Sequence, residues 1–177
     1  MKCKPVFQLL ILVTILFFSS CIKQKSFLED EQADIDKYIE KTGLYFNKDA
    51  SGIYYYVKNS GTGTKINLND SISISYSAVT LQDTNYVFSK SENFTFKVGD
   101  KDIIEGWNIA AQMFTEGTRA IIIIPFKLAY GNRSVGSIPQ YSTLIYDFRI
   151  ISKMPDVEAN TDFIAYIENL DSITRIS

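Results

Sequence analysis

Residues 119–125 read RAIIIIP, and no other stretch limits the fold as sharply. Four consecutive isoleucines present no polar side to water. A half-exposed strand alternates polar and apolar residues, and an amphipathic helix repeats every 3.6; this run does neither. It is short, β-branched and closed by Pro125, so it reads as a strand covered on both faces.

The neighbouring segments supply more strands. Residues 53–59 (IYYYVKN) read as a first strand, with SGTGT at 60–64 as its turn. Residues 71–81 (SISISYSAVTL) alternate with period two, the pattern of a half-buried strand. Residues 87–89 and 93–98 read as two short strands around a bend at 90–92. Residues 106–114 place Trp107, Ile109, Ala110 and Met113 at helical spacing, and Gly117 helps to end that helix. A long loop over 126–140 follows, and long loops in compact domains are often functional. Residues 143–152 (TLIYDFRIIS) read as the closing strand. The expected class is α+β: a curved antiparallel sheet, a half-barrel, wrapped around one short α-helix, with helical segments added at both ends.

Residues 1–20 begin with Lys2 and Lys4 and continue as an apolar run from Val6 to Phe18, broken by Gln8 and Thr14. The run is short for a membrane span and suits a signal-peptide core. Ser19 and Ser20 then precede Cys21, and FSSC resembles a bacterial lipobox. That resemblance implies cleavage before Cys21 and lipidation of this cysteine, whose buried methylenes would anchor the chain. An ordinary signal peptide or an uncleaved anchor would use the same run. Residues 22–34 are polar and read as a tether, with a helical pattern starting within 28–34. Ile35, Tyr38 and Ile39 share one face of that helix, expected to pack loosely, and Gly43 stops it. Residues 161–170 place Phe163, Ile164, Ile167 and Leu170 on one face, a terminal helix that packs on the domain or on a partner. The expected organisation is a signal peptide over 1–20, tether and helix over 21–51, a folded domain over 52–153 and a helical tail over 154–177.

Composition removes whole classes of chemistry. The chain contains no histidine, so histidine bases, histidine triads and nearly all zinc enzymes are excluded. Its two cysteines, Cys3 and Cys21, are too few for a metal cluster or a disulfide framework. A net charge of −2 offers no basic footprint for nucleic acid.

Read together, SYSAV around Tyr76, YVFSKS around Phe88, NFTFKVG around Phe94, IIEGWNIAAQM at 103–113, IIIIPFKLAYG at 121–131 and IPQYSTLIYDFRII at 138–151 resemble the FKBP-type peptidyl-prolyl isomerases. The likeness runs over about a hundred positions, 52–153, and the order and separation of the motifs make it specific. The chain as a whole resembles a lipid-anchored bacterial member. The resemblance implies a substrate pocket lined by Tyr76, Phe88, Phe94, Ile103, Ile104, Trp107, Tyr130, Ile138 and Tyr146. It implies Trp107 as the floor beneath a proline ring, and the Ile104 N–H and Tyr130 hydroxyl as donors to the bound peptide. Taken as plain residues, Trp107, Phe94 and Ile104 would be ordinary core if side chains filled the concave face.

Such a pocket suits prolyl isomerisation. Rotation about the peptide bond is opposed by about 18–20 kcal/mol of amide resonance, and no bond to the backbone is broken. A dry aromatic site favours the twisted, less polar amide, so neither cofactor nor metal is implied. Three departures from the family pattern bear on rate and preference. Ser89 stands where the family usually has aspartate, keeping a hydrogen-bonding group next to Tyr76 without the charge. Pro139 is followed by Gln140 where a second proline is common, and Tyr146 replaces the more usual phenylalanine. The expected function is therefore a folding helper for X-Pro polypeptides in the bacterial cell envelope, a monomeric domain with Tyr130, Ile104, Trp107, Tyr76 and Ser89 as its catalytic set. Its expected place is the periplasmic side of the outer membrane, because no aspartate follows Cys21. The alternative is a non-catalytic chaperone, or a scaffold in an envelope machine of the kind that related lipoproteins assist in gliding bacteria.

Overall fold

A computed structural model of the chain describes residues 29–154. The leader, Cys21, the first part of the tether and the expected C-terminal helix lie outside these residues. The described part opens with helix α1, residues 29–42, which stops at Gly43 with φ 65°. Six strands follow: β1 (Asn47–Lys48), β2 (Tyr54–Asn59), β3 (Ser71–Thr80), β4 (Val87–Lys97), β5 (Arg119–Ile124) and β6 (Leu144–Lys153). Helix α2 (Glu105–Met113) and a 3-10 turn at Phe126–Leu128 complete the set. The strands form one open sheet in the order β1-β2-β5-β6-β3-β4, antiparallel throughout. The sheet thus begins before residue 52, with β1 pairing Asn47 to Tyr55.

Strand β5 is covered on both faces, for the reason its sequence suggests. Ala120, Ile122 and Ile124 join the core beneath α2, with Ile72, Ile74, Trp107, Phe148 and Ile150. Ile123 points the other way and packs with Tyr54, Ile145 and Ile35 of α1. Ile35 is only 2% exposed, so α1 is seated against the sheet and does not lie loosely on it. Each buried isoleucine contributes roughly 1.5–3 kcal/mol of burial, which favours this sandwich of helix, sheet and helix.

Strand β4 differs from the expected pair of short strands. It runs unbroken from Val87 to Lys97, and the supposed bend at 90–92 lies inside it. Its register against β3 slips twice, between Ile74 and Tyr76 and between Ala78 and Val79. At each slip β4 carries one residue more than β3, which is a β-bulge. Bulges break the period-two pattern and bend the strand, so an edge strand rich in Ser, Lys and Glu imitated a bend.

An aromatic cavity between helix, sheet and loop

Helix α2 lies against the inner face of the sheet and brings Trp107 to its centre. The rings of Tyr76 (4.8 Å), Tyr146 (5.2 Å), Phe94 (5.6 Å), Phe96 (5.6 Å) and Phe148 (6.2 Å) surround the indole, mostly edge-on. Edge-to-face packing sets ring hydrogens against ring faces and fixes each orientation. Gly106 lets the helix approach this closely. A methyl group there would overlap Ile124 Cγ2 and stand 3.1 Å from the Leu128 carbonyl oxygen.

Above Trp107 is a cavity of about 300 Å³, lined by Tyr76, Phe88, Ser89, Phe94, Ile103, Ile104, Tyr130, Ile138 and Tyr146, with Asp102 at its lip. Every pocket residue named from the sequence therefore lies in one place. Tyr76 and Tyr146 come from the paired strands β3 and β6, and Phe88, Ser89 and Phe94 from the bulged β4. Ile103 and Ile104 come from the turn before α2. Asn108 fastens that turn, accepting from the Gly99 N–H at 2.8 Å and donating to the Asp100 carbonyl at 2.9 Å. Tyr130 and Ile138 come from the loop between β5 and β6. A tight turn with Val135 N–H to Ile138 carbonyl (3.0 Å) and the reverse bond (2.9 Å) tucks Ile138 inward.

The polar groups of the cavity are few. The Tyr76 and Ser89 hydroxyls are 3.0 Å apart. Among the described residues, the Ile104 N–H has no acceptor, and the Tyr130 hydroxyl has no hydrogen-bond partner. Burial, with a smaller contribution from Tyr76, raises the Tyr130 pKa above the usual tyrosine value, so its hydroxyl is a donor across the neutral range. Burial raises the Tyr146 pKa much further, and Tyr130 and Tyr76 add to it. The Trp107 indole N–H opposes this slightly, yet it falls short of hydrogen-bond geometry and stays unpaired. The cavity thus combines apolar walls, a tryptophan floor and several donors without partners among the described residues, the Ile104 N–H and the Tyr130 and Tyr146 hydroxyls on its wall and the Trp107 indole N–H beneath, and holds no nucleophile set against a base. Such a site can bind a ring and hold carbonyls; it is not arranged for covalent chemistry.

Asp102 escaped notice because a single rim carboxylate on a turn leaves no periodic trace. Its N–H bonds Asp100 Oδ1 at 3.0 Å, which fixes the turn and leaves the carboxylate exposed.

Known proteins resemble this chain in sequence and in fold. The outer membrane protein MIP of Legionella longbeachae is 35% identical over 107 residues, covering 58% of this chain and 44% of that protein. The FKBP-type peptidyl-prolyl cis-trans isomerase FkpA of Aeromonas hydrophila is 31% identical over 104 residues, covering 58% of this chain and 38% of that protein. The chain thus spans less than half the length of these two relatives. The crystal structure of a peptidyl-prolyl cis-trans isomerase from Pseudomonas syringae pv. tomato shares the fold with a TM-score of 0.63 at 23% identity, covering 74% of this chain and 96% of that one. The sequence model of the FKBP-type peptidyl-prolyl cis-trans isomerases matches residues 62–151, which include the strands, helix and loop that build the cavity. With that match spanning half of the chain, the protein belongs to the FKBP-type peptidyl-prolyl cis-trans isomerase family.

Proposed function

We propose that the chain catalyses cis–trans isomerisation of X-Pro bonds in polypeptides of the cell envelope. The observation that carries this reading is an apolar cavity floored by Trp107 whose wall holds donors without partners among the described residues, the Ile104 N–H and the Tyr130 hydroxyl among them. In this reading the proline ring rests on Trp107 and is held by Phe88, Phe94 and Tyr146. The donors bind carbonyls on either side of the rotating bond. Removal from water disfavours the planar, dipolar amide relative to the twisted one. Bonds that are best in the twisted state lower the barrier, and a millionfold acceleration needs about 8 kcal/mol of such preference. The rotation breaks no covalent bond, so the reading calls for no metal or cofactor.

The place of action is part of the same proposal. The apolar run and FSSC motif support an anchor lipidated at Cys21, with residues 22–28 as its tether. The relative named as an outer membrane protein supports the envelope. In this scheme 52–153 is the isomerase domain, held near the outer membrane on its periplasmic side, and 154–177 is a helical tail that packs on the domain or on an envelope partner. Ser89 favours a second reading, a proline-peptide-binding chaperone or a scaffold in an envelope machine, because the wall lacks the usual charge.

The full chain in detergent is assayed on a panel of X-Pro peptides, with and without tacrolimus. Turnover blocked by the macrolide is the expected result. Binding of peptide and macrolide without turnover would favour the chaperone reading. Absence of both binding and turnover would overturn the pocket assignment.

A further inference from the structure

Glu31 lies on α1, outside the residues matched to the family, yet its carboxylate touches both ends of the loop that closes the cavity. The Phe126 N–H donates to Glu31 Oε1 at 2.8 Å. The Thr143 hydroxyl donates to the same oxygen. Phe126 starts the loop after β5, and Thr143 is the residue before β6. Thr143 is fully buried, and its carbonyl accepts the Leu81 N–H at 2.9 Å, so this end is built into the sheet.

Phe126 passes the constraint on. Its carbonyl accepts the N–H groups of Ala129 at 3.1 Å and Gly131 at 2.9 Å, the residues on either side of Tyr130. Gly131 in turn accepts the Tyr141 N–H at 2.7 Å, which ties the outgoing limb to the same point. The support beneath Glu31 is firm: Ile35 is buried one turn on, and Gln32 bonds the Tyr54 hydroxyl at 2.7 Å. A carboxylate accepting two bonds in a partly buried place is a stronger tie than a neutral acceptor.

We infer that Glu31 is a positioning residue for the cavity, clamping the two ends of the Tyr130 loop and thereby setting where the Tyr130 hydroxyl stands. The inference rests on the reading of Tyr130 as a donor to bound peptide. Without the clamp, the Thr143 end stays in the sheet through its carbonyl, and the Phe126 end loses its side-chain tie to it. The loop's tyrosine then samples positions in which the peptide carbonyl is out of reach, and displacements of about 0.5 Å already matter at such sites.

The test compares Glu31→Ala, Glu31→Gln and Gln32→Ala in the full chain, with two readouts. Amide hydrogen exchange at Ala129 and Gly131 reports the loop, and kcat/KM on an X-Pro peptide reports the site. Glu31→Ala is expected to speed exchange at both amides about tenfold and to lower kcat/KM several-fold. Glu31→Gln keeps an acceptor oxygen and is expected to recover most of both. Gln32→Ala weakens the same helix at Tyr54 without touching the loop, and is expected to change neither. Glu31→Asp, one methylene short, carries the Glu31→Ala expectation should that variant not fold. Unchanged exchange at Ala129 and Gly131, or equal effects from Gln32→Ala, would reduce Glu31 to a fastening for α1 and overturn the inference. A parent without turnover would remove the isomerase reading, while the exchange data would still decide the clamp.

Discussion

The Tyr76 hydroxyl stands 3.0 Å from the Ser89 hydroxyl across the β3–β4 pair. The direct partner of Ser89 is Ala78, so Tyr76 reaches it diagonally, and its ring is edge-on to Trp107 at 4.8 Å. Ser89 therefore steadies a wall that touches the floor. Ser89→Ala removes a neutral hydrogen bond, and Ser89→Asp replaces it with a charged one. The gap between the two bond types is about 1 kcal/mol, or about fivefold in rate. Turnover on an X-Pro peptide is expected to rise about that much in Ser89→Asp and to fall in Ser89→Ala. Equal kcat/KM in all three proteins would show that this position does not limit the rate.

Tyr130→Phe separates binding chemistry from folding. The hydroxyl has no partner among the described residues, so its loss leaves no group stranded, and the melting temperature is expected to stay where it is. A donor that meets the peptide only in the complex contributes roughly 0.5–1.5 kcal/mol. The expected loss in kcat/KM is about two- to thirteenfold. A variant as active as the parent would take the Tyr130 hydroxyl out of the set of donors to the peptide.

What could be read from the chain alone follows from which forces leave a pattern. RAIIIIP announced a strand buried on two sides because an unbroken apolar run leaves no side for water, and β5 does divide its isoleucines between α2 and α1. Trp107, Tyr76, Phe94 and Tyr130 were legible through motif order, and they meet in one cavity. The continuity of β4 was not legible, because two bulges erase the alternation that identifies a strand. Glu31 and Asp102 were not legible either. Each acts through polar contacts of one side chain or at one rim, and a single carboxylate in a chain with 20 acidic residues carries no signal of its own.

Gly106 tests the close approach of helix and sheet. A side-chain methyl there would meet Ile124, a fully buried residue of β5, and the Leu128 carbonyl. Alanine ordinarily favours a helix by about 1 kcal/mol over glycine. Overpacking a tight core costs roughly 1–3 kcal/mol, and here steric overlap outweighs propensity. Gly106→Ala is expected to lower the unfolding free energy by about 1–2 kcal/mol in denaturant titration. It is also expected to shift Trp107 fluorescence, since the indole is the next residue. A stabilised Gly106→Ala protein would mean that α2 can lift away from β5 at no cost.

The buried phenols give the fold an alkaline limit. Tyr146, Tyr130 and Tyr38 all have pKa values raised above the usual value near 10.0, burial being the largest cause for each. In the unfolded chain these groups lose their protons near that usual value, while the folded protein holds them longer. Between the two values the native state binds more protons, so stability falls as pH rises. The contribution is fully present below about pH 10 and is lost progressively above it. Tyr146 has the largest rise of the three, so it should dominate the slope. Denaturant midpoints measured from pH 8 to pH 11 are expected to be level at first and then to drop in the parent. Tyr146→Phe removes the hydroxyl while keeping the ring against Trp107, and is expected to flatten that drop. An unchanged slope in Tyr146→Phe would place the alkaline sensitivity in another group and would mean that the Tyr146 hydroxyl reaches water through the cavity mouth.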